Sequence, residues 1–127
     1  MRRPKLLILD DNEILAQVLC RLAKLCEWDA TFITKPQEAI ELLLNEEFDC
    51  FLTDQQMPEK NGIDVIRALR KLGNNTPALL MSGCDITLTS QQTLELQIIA
   101  FLKKPFTKKS LKSYLMQSKT KGLALAA

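Results

Sequence analysis

The sequence predicts an α/β domain, a five-stranded parallel sheet with helices on both faces. Three observations carry that expectation. Short apolar runs alternate five times with stretches whose apolar residues recur at helical spacing. The first run, Lys5-Leu6-Leu7-Ile8-Leu9, is apolar throughout rather than alternating, as suits a strand buried on both sides. Four of the runs stop at polar residues able to do chemistry: Asp10 with Asp11, Asp54, Ser82 and Lys104. Parallel strands joined by right-handed crossovers send all their carboxyl ends to one edge, so these residues are expected to meet.

Each element has its own signal. Ile14, Leu15, Val18, Leu19 and Leu22 form the stripe of a first helix reaching about Cys26. Ala30 to Ile33 is a short second strand. Thr34 offers an N-cap and Pro36 a first-turn residue for a second helix faced by Ala39, Ile40, Leu43 and Leu44. The third strand, Phe48 to Asp54, runs into the loop formers Gln55-Gln56-Met57-Pro58 and Asn61-Gly62. A third helix follows with Ile63, Ile66 and Leu69 inward and Val65 at the margin, stopped by Gly73-Asn74-Asn75. Pro77 to Met81 is the fourth strand, ending at Ser82-Gly83. Thr89 with Gln92 makes a capping box for a short, nearly uncharged fourth helix. Ile98 to Leu102 is the fifth strand, and Thr107 caps a last helix faced by Leu111, Tyr114 and Leu115. Residues 1–118 thus read as one domain, and 119–127 as a C-terminal tail or the start of a linker.

Composition narrows the function. With 127 residues the chain suits one core that buries roughly two-thirds of its unfolded surface. No apolar run is long enough to span a membrane, and Met1-Arg2-Arg3-Pro4 leads into a strand without the apolar stretch of a secretory signal. The four cysteines have no CxxC spacing and the chain has no His, so a zinc site is not expected and reduced, cytoplasmic thiols are. A net charge of +2 gives no case for nucleic-acid binding through this domain. After Glu95, however, there are seven lysines and no acid. A solvated last helix accounts for them, and a docking face for an acidic partner is the alternative.

Three carboxylates at one edge repel. At about 5 Å and an effective dielectric near 20, each pair costs on the order of 3 kcal/mol. A hard divalent cation removes the conflict, and Mg²⁺ takes a few carboxylates with carbonyls and waters. Acids, a metal, the Ser82 hydroxyl and Lys104 together would suit a phosphoryl group, with one Asp as nucleophile. Singly, each member has an ordinary explanation: Asp10 or Asp11 as a helix cap, Asp54 and Ser82 as turn residues, Lys104 as a surface lysine. Their joint placement at successive strand ends does not.

Leu9-Asp10-Asp11-Asn12, Leu52-Thr53-Asp54 with Met57-Pro58 and Gly62, Met81-Ser82-Gly83, and Phe101-Leu102-Lys103-Lys104-Pro105-Phe106 occur in that order. In these motifs, over about residues 5 to 118, the chain resembles the receiver domain of two-component response regulators (CheY-like). The resemblance implies a flavodoxin-like (βα)5 fold with strand order 2-1-3-4-5, an order that belongs to the family and is not read from residue spacing. It implies that Asp54 is the phosphoacceptor of a histidine kinase or a histidine phosphotransfer protein. Asp11, Asp54 and the backbone carbonyl of Gln56 would ligate Mg²⁺, with Asp10 acting through water. Ser82, Gly83 and Lys104 would bind the phosphoryl oxygens. Phe101 would be the switch aromatic that reshapes the face of helix 4, strand 5 and helix 5 for a downstream protein or a covalently linked output domain. The Lys104-Pro105 bond would be cis. Self-catalysed phosphoryl transfer and hydrolysis are implied, but not turnover of a free substrate.

The chain also departs from the family pattern. The two variable positions that look onto the phosphoryl group fall on Gln56 and Cys84; neither is a carboxylate suited to orienting water, so a moderately long-lived phosphoryl state is expected. Gly83 stands where Ala is commoner. Cys84 beside the acids is a candidate for oxidation or alkylation that impedes phosphorylation, against an incidental thiol. The Gly usual before the fifth strand is replaced by Leu96-Gln97-Ile98-Ile99. The acidic pair often seen there is missing too, which argues against the symmetric dimer face of winged-helix regulators and leaves a monomer or weak dimer. A phosphatase of the haloacid dehalogenase type needs a second Asp two residues after its nucleophile, where this chain has Asn12. A flavin protein of the same fold needs a Ser/Thr/Gly phosphate loop after the first strand, which is lacking. A receiver that works without phosphorylation remains as the third alternative.

Overall fold

The computed structural model describes the backbone of residues 2–126 and the side chains of residues 2–118. Strand and helix alternate throughout: β1 (Lys5–Leu9), α1 (Glu13–Leu25), β2 (Asp29–Ile33), α2 (Pro36–Asn45), β3 (Cys50–Asp54), α3 (Gly62–Lys71), β4 (Ala78–Ser82), α4 (Ser90–Glu95), β5 (Ile98–Lys103) and α5 (Lys108–Ala126). All four strand pairings are parallel and the order is β2-β1-β3-β4-β5. This is the flavodoxin-like (βα)5 sandwich.

The apolar run of β1 is continuous because the pleat sends alternate residues into two cores. Leu6 and Ile8 join Leu52, Leu79 and Met81 under α1 and α5, where Leu19, Ala23, Leu111 and Leu115 cover them. Leu7 and Leu9 join Phe51 and Leu80 on the other face, under Ile40 and Leu43 of α2 and Val65, Ile66 and Leu69 of α3. Trp28 is 4% exposed and belongs to the first core, far from the polar edge. Register then aligns the strand ends: Leu9 opposes Thr53, Asp54 opposes Met81, and Ser82 opposes Lys103.

Several local expectations shift. The buried face of α1 is Ala16, Leu19, Cys20 and Ala23, whereas Ile14 is 77% exposed and Val18 47%. Small residues allow α1 close to the sheet, and this rotates the larger apolar residues toward solvent. Lys35, not Thr34, is the N-cap of α2 and makes no side-chain cap bond. Pro36 at the first helical position holds the preceding residue extended and supplies the start signal by itself. Phe48 and Asp49 lie outside β3, because the Asp49 carboxylate turns back to accept from the Lys5 backbone N–H at 2.7 Å. Val65 is fully buried rather than marginal. The capping box of Thr89 and Gln92 is present, as are the Thr107 cap and the cis Lys104–Pro105 bond. Helix α5 runs on to Ala126 through the stretch read as a tail, whose side chains lie outside the described residues.

Candidate functional site

The carboxyl ends of β1, β3, β4 and β5 bring Asp10, Asp54, Ser82 and Lys104 together. Asp10 follows the last residue of β1, and its N–H still bonds the Ile33 carbonyl at 3.2 Å. One carboxylate oxygen, Oδ1, accepts from the Asn12 N–H at 2.9 Å, which turns the chain toward α1. Asn12 itself caps that helix through Leu15. Asp54 is the last residue of β3, and the Gln55 N–H continues the ladder to Met81 O at 2.8 Å. The Lys104 N–H is bonded to Ser82 O at 2.8 Å, so the lysine and the hydroxyl are spaced by the sheet itself.

Side-chain geometry follows from that frame. Lys104 Nζ donates to Asp54 Oδ2 at 3.0 Å and lies 3.6 Å from Asp10 Oδ2. Asp54 Oδ1 accepts from the Gln56 N–H at 3.3 Å. The carboxylates of Asp10, Asp11 and Asp54 each place an oxygen within 4.8 Å of the others. Asp10 and Asp54 are buried and Asp11 is exposed, so the cluster opens to solvent on one side. Burial, chiefly, pushes the Asp10 carboxyl above its ordinary range, with Asp54 and Asp11 adding to the effect; the Asn12 N–H and Lys104 oppose it.

The donor set fits Mg²⁺. One ammonium against three carboxylates leaves two negative charges uncompensated, the charge of a divalent cation. Asp10 Oδ2 is buried and has no hydrogen-bond partner among the described residues. A hard cation with its bound waters answers both facts.

The remaining expected residues line the same edge. Ser82 is 1% exposed; its Oγ donates to Gln56 Oε1 at 2.8 Å and accepts from the Cys84 N–H at 3.0 Å. Gly83 and Cys84 are exposed on the loop after β4, and Cys84 is a free thiol. An added Cβ at Gly83 would meet nothing within 4 Å, so the commoner Ala would fit here. Phe101 is 37% exposed, beside a pocket it lines with Ser82, Cys84, Ile86 and Leu102. At the opposite end of β5, Arg70 ties the α4–β5 turn to α3 by donating to Leu96 O at 2.7 Å, and it also donates to Asn74 O, in the loop after α3, at 3.1 Å.

Three features of the site are not evident from residue spacing. Gln55 Oε1 accepts from the Ile63 N–H at 2.9 Å and fixes the start of α3 against the loop after Asp54. Gly62 lies so close that a Cβ there would stand 2.5 Å from Asp54 O. The bond from Ser82 to Gln56 joins two loops that are distant in sequence. Only the second had a sequence signal, a glycine placed at a helix start.

Comparison with known proteins agrees with this geometry. The family described as response regulator receiver domain matches residues 6–116. The transcriptional regulatory protein CpxR of Escherichia coli (strain K12) is 32% identical over 107 residues, covering 84% of this chain and 45% of CpxR. The response regulator protein PilR of Pseudomonas aeruginosa is 30% identical over 105 residues, covering 83% of this chain and 24% of PilR. The chain therefore spans half or less of the length of these relatives. Among solved structures, the receiver domain of the Francisella response regulator 1452 superposes with a TM-score of 0.81 at 28% identity, covering 94% of this chain and 99% of that one. A receiver domain protein from Clostridium thermocellum shares the fold with a TM-score of 0.85 at 18% identity, covering 96% and 98%. The matched residues take in nearly the whole sheet and all four polar strand ends, and this chain is a member of the response regulator receiver domain family of two-component systems.

Proposed function

We propose that this domain is a phosphorylation switch whose acceptor is Asp54. The donor is a histidine kinase or a histidine phosphotransfer protein. In the transfer, an Asp54 carboxylate oxygen forms a bond to phosphorus as the donor's P–N bond breaks, and the electron pair leaves with the imidazole. Asp11, Asp54 and the Gln56 backbone carbonyl hold Mg²⁺, with Asp10 acting through water. When bound, the cation offsets the negative charge of the acids and the phosphoryl oxygens. Lys104 neutralises a phosphoryl oxygen, and Ser82 with Gly83 receives the others. Movement of Ser82 lets Phe101 turn inward, which reshapes the face of α4, β5 and α5 for a downstream protein or a linked output domain. The domain works in the cytoplasm as a signal carrier rather than a turnover enzyme. With Gln56 and Cys84 flanking the group, its phosphoryl state is moderately long-lived.

The observation that carries this reading is the contact of Lys104 Nζ with Asp54 Oδ2 at 3.0 Å, inside a cluster of three acids. It is tested by intact mass after incubation with Mg²⁺ and acetyl phosphate. A single phosphoryl adduct that requires Mg²⁺ and is absent from Asp54→Asn is expected. No adduct, together with no binding of beryllofluoride, overturns the proposal in favour of a phosphorylation-independent module.

A further inference from the structure

Ser82 has one hydroxyl proton to give, and in this structure the proton is given away from the acceptor. Ser82 Oγ donates to Gln56 Oε1 at 2.8 Å. Its acceptor role is used by the Cys84 N–H at 3.0 Å, within the same loop. A phosphoryl oxygen on Asp54 can take that proton only if the bond to Gln56 breaks. Gln56 is exposed, so its amide can turn to water once released, whereas the Ser82 side chain is nearly fully buried. Gln56 is also tied to the acceptor, since its N–H bonds Asp54 Oδ1 at 3.3 Å. One residue therefore touches the acceptor through its main chain and the switching hydroxyl through its side chain.

We infer that Gln56 is a positioning residue whose side-chain carbonyl holds the Ser82 hydroxyl in the resting orientation, so that it opposes switching. This rests on the reading of Asp54 as phosphoacceptor. The hydrogen bond is exchanged rather than simply lost on phosphorylation, and its net worth is that of one ordinary bond. Removing it with Gln56→Met, which keeps the length but puts a methyl group in place of the amide oxygen and retains only a weakly accepting sulfur, favours the switched state by about five-fold. The Gln56 main chain, and with it the carbonyl proposed for the metal, is retained in the variant.

The test is a calorimetric titration with beryllofluoride at saturating Mg²⁺ in four proteins: wild type, Gln56→Met, Ser82→Ala and the double variant. Gln56→Met is expected to bind about five-fold tighter than wild type, and to make no difference in the Ser82→Ala background. A structural effect of Gln56 on the loop would change both backgrounds alike. An equal change in the two backgrounds, or none in either, overturns the inference while leaving Asp54 as acceptor. Wild-type protein that binds no beryllofluoride overturns the acceptor reading itself, and this inference with it.

Discussion

Gly62 meets the carbonyl of Asp54 at a distance that no side chain can occupy. An added Cβ would lie 2.5 Å from Asp54 O and 2.7 Å from Leu80 Cδ1. The backbone oxygen cannot yield without moving the end of β3. Gly62→Ala is expected to destabilise the fold by about 2 kcal/mol or more and to displace Asp54. Urea denaturation with unchanged slope and a lower midpoint checks the first effect, and slower acetyl phosphate labelling the second.

Gln97 sits at φ 54, the left-handed region where glycine is favoured, and its Oε1 is buried without a partner among the described residues. Both features cost stability. Gln97→Gly is expected to stabilise by about 0.5–1 kcal/mol, the relief of strain exceeding the entropy that glycine adds to the unfolded chain. A raised thermal midpoint checks this, and a lowered one would show that the Gln97 stem packs more than it strains.

The crowding of Asp10 against Asp54 and Asp11 predicts opposite effects with and without metal. Asp10→Asn keeps an oxygen to accept from the Asn12 N–H while removing one of the repelling charges. In EDTA the variant is expected to be more stable than wild type by about 1 kcal/mol. Added Mg²⁺ is expected to raise the wild-type thermal midpoint more than that of the variant, which keeps Asp11 and Asp54 but has one charge fewer. Equal Mg²⁺ responses would count against the cluster as the cation site.

The thiols differ by burial. Cys50 is wholly buried, and desolvation pushes its thiol from 9.0 up to about 12; Cys84 is exposed. Iodoacetamide at pH 8 is therefore expected to label Cys84 in the native protein and Cys50 only on unfolding. The folded state keeps the Cys50 proton that the unfolded chain releases above about pH 9. The contribution of this group to stability is thus full below that pH. It falls by about 1.4 kcal/mol per unit as pH rises toward 12. The difference in pH slope between wild type and Cys50→Ala isolates it.

Much of this molecule is legible in its sequence because strand ends and helix caps are local. The unbroken apolar run of Lys5 to Leu9 marks a strand covered on both faces, and Thr89 with Gln92 marks a helix start, without reference to the rest of the chain. Parallel crossovers then oblige Asp10, Asp54, Ser82 and Lys104 to share an edge, so the members of the site follow from topology alone. Tertiary structure decided what depends on approach in space. Ala16, Cys20 and Ala23 bring α1 onto the sheet and leave Ile14 and Val18 outside, though helical spacing favours them equally. The Asp49 carboxylate delays the start of β3 to Cys50 by reaching the backbone of Lys5, a partner forty-four residues away. The bond from Ser82 to Gln56 likewise depends on how two loops meet across β3 and β4. Periodicity records which residues prefer the interior, but only packing selects among them and directs a hydroxyl proton to one acceptor.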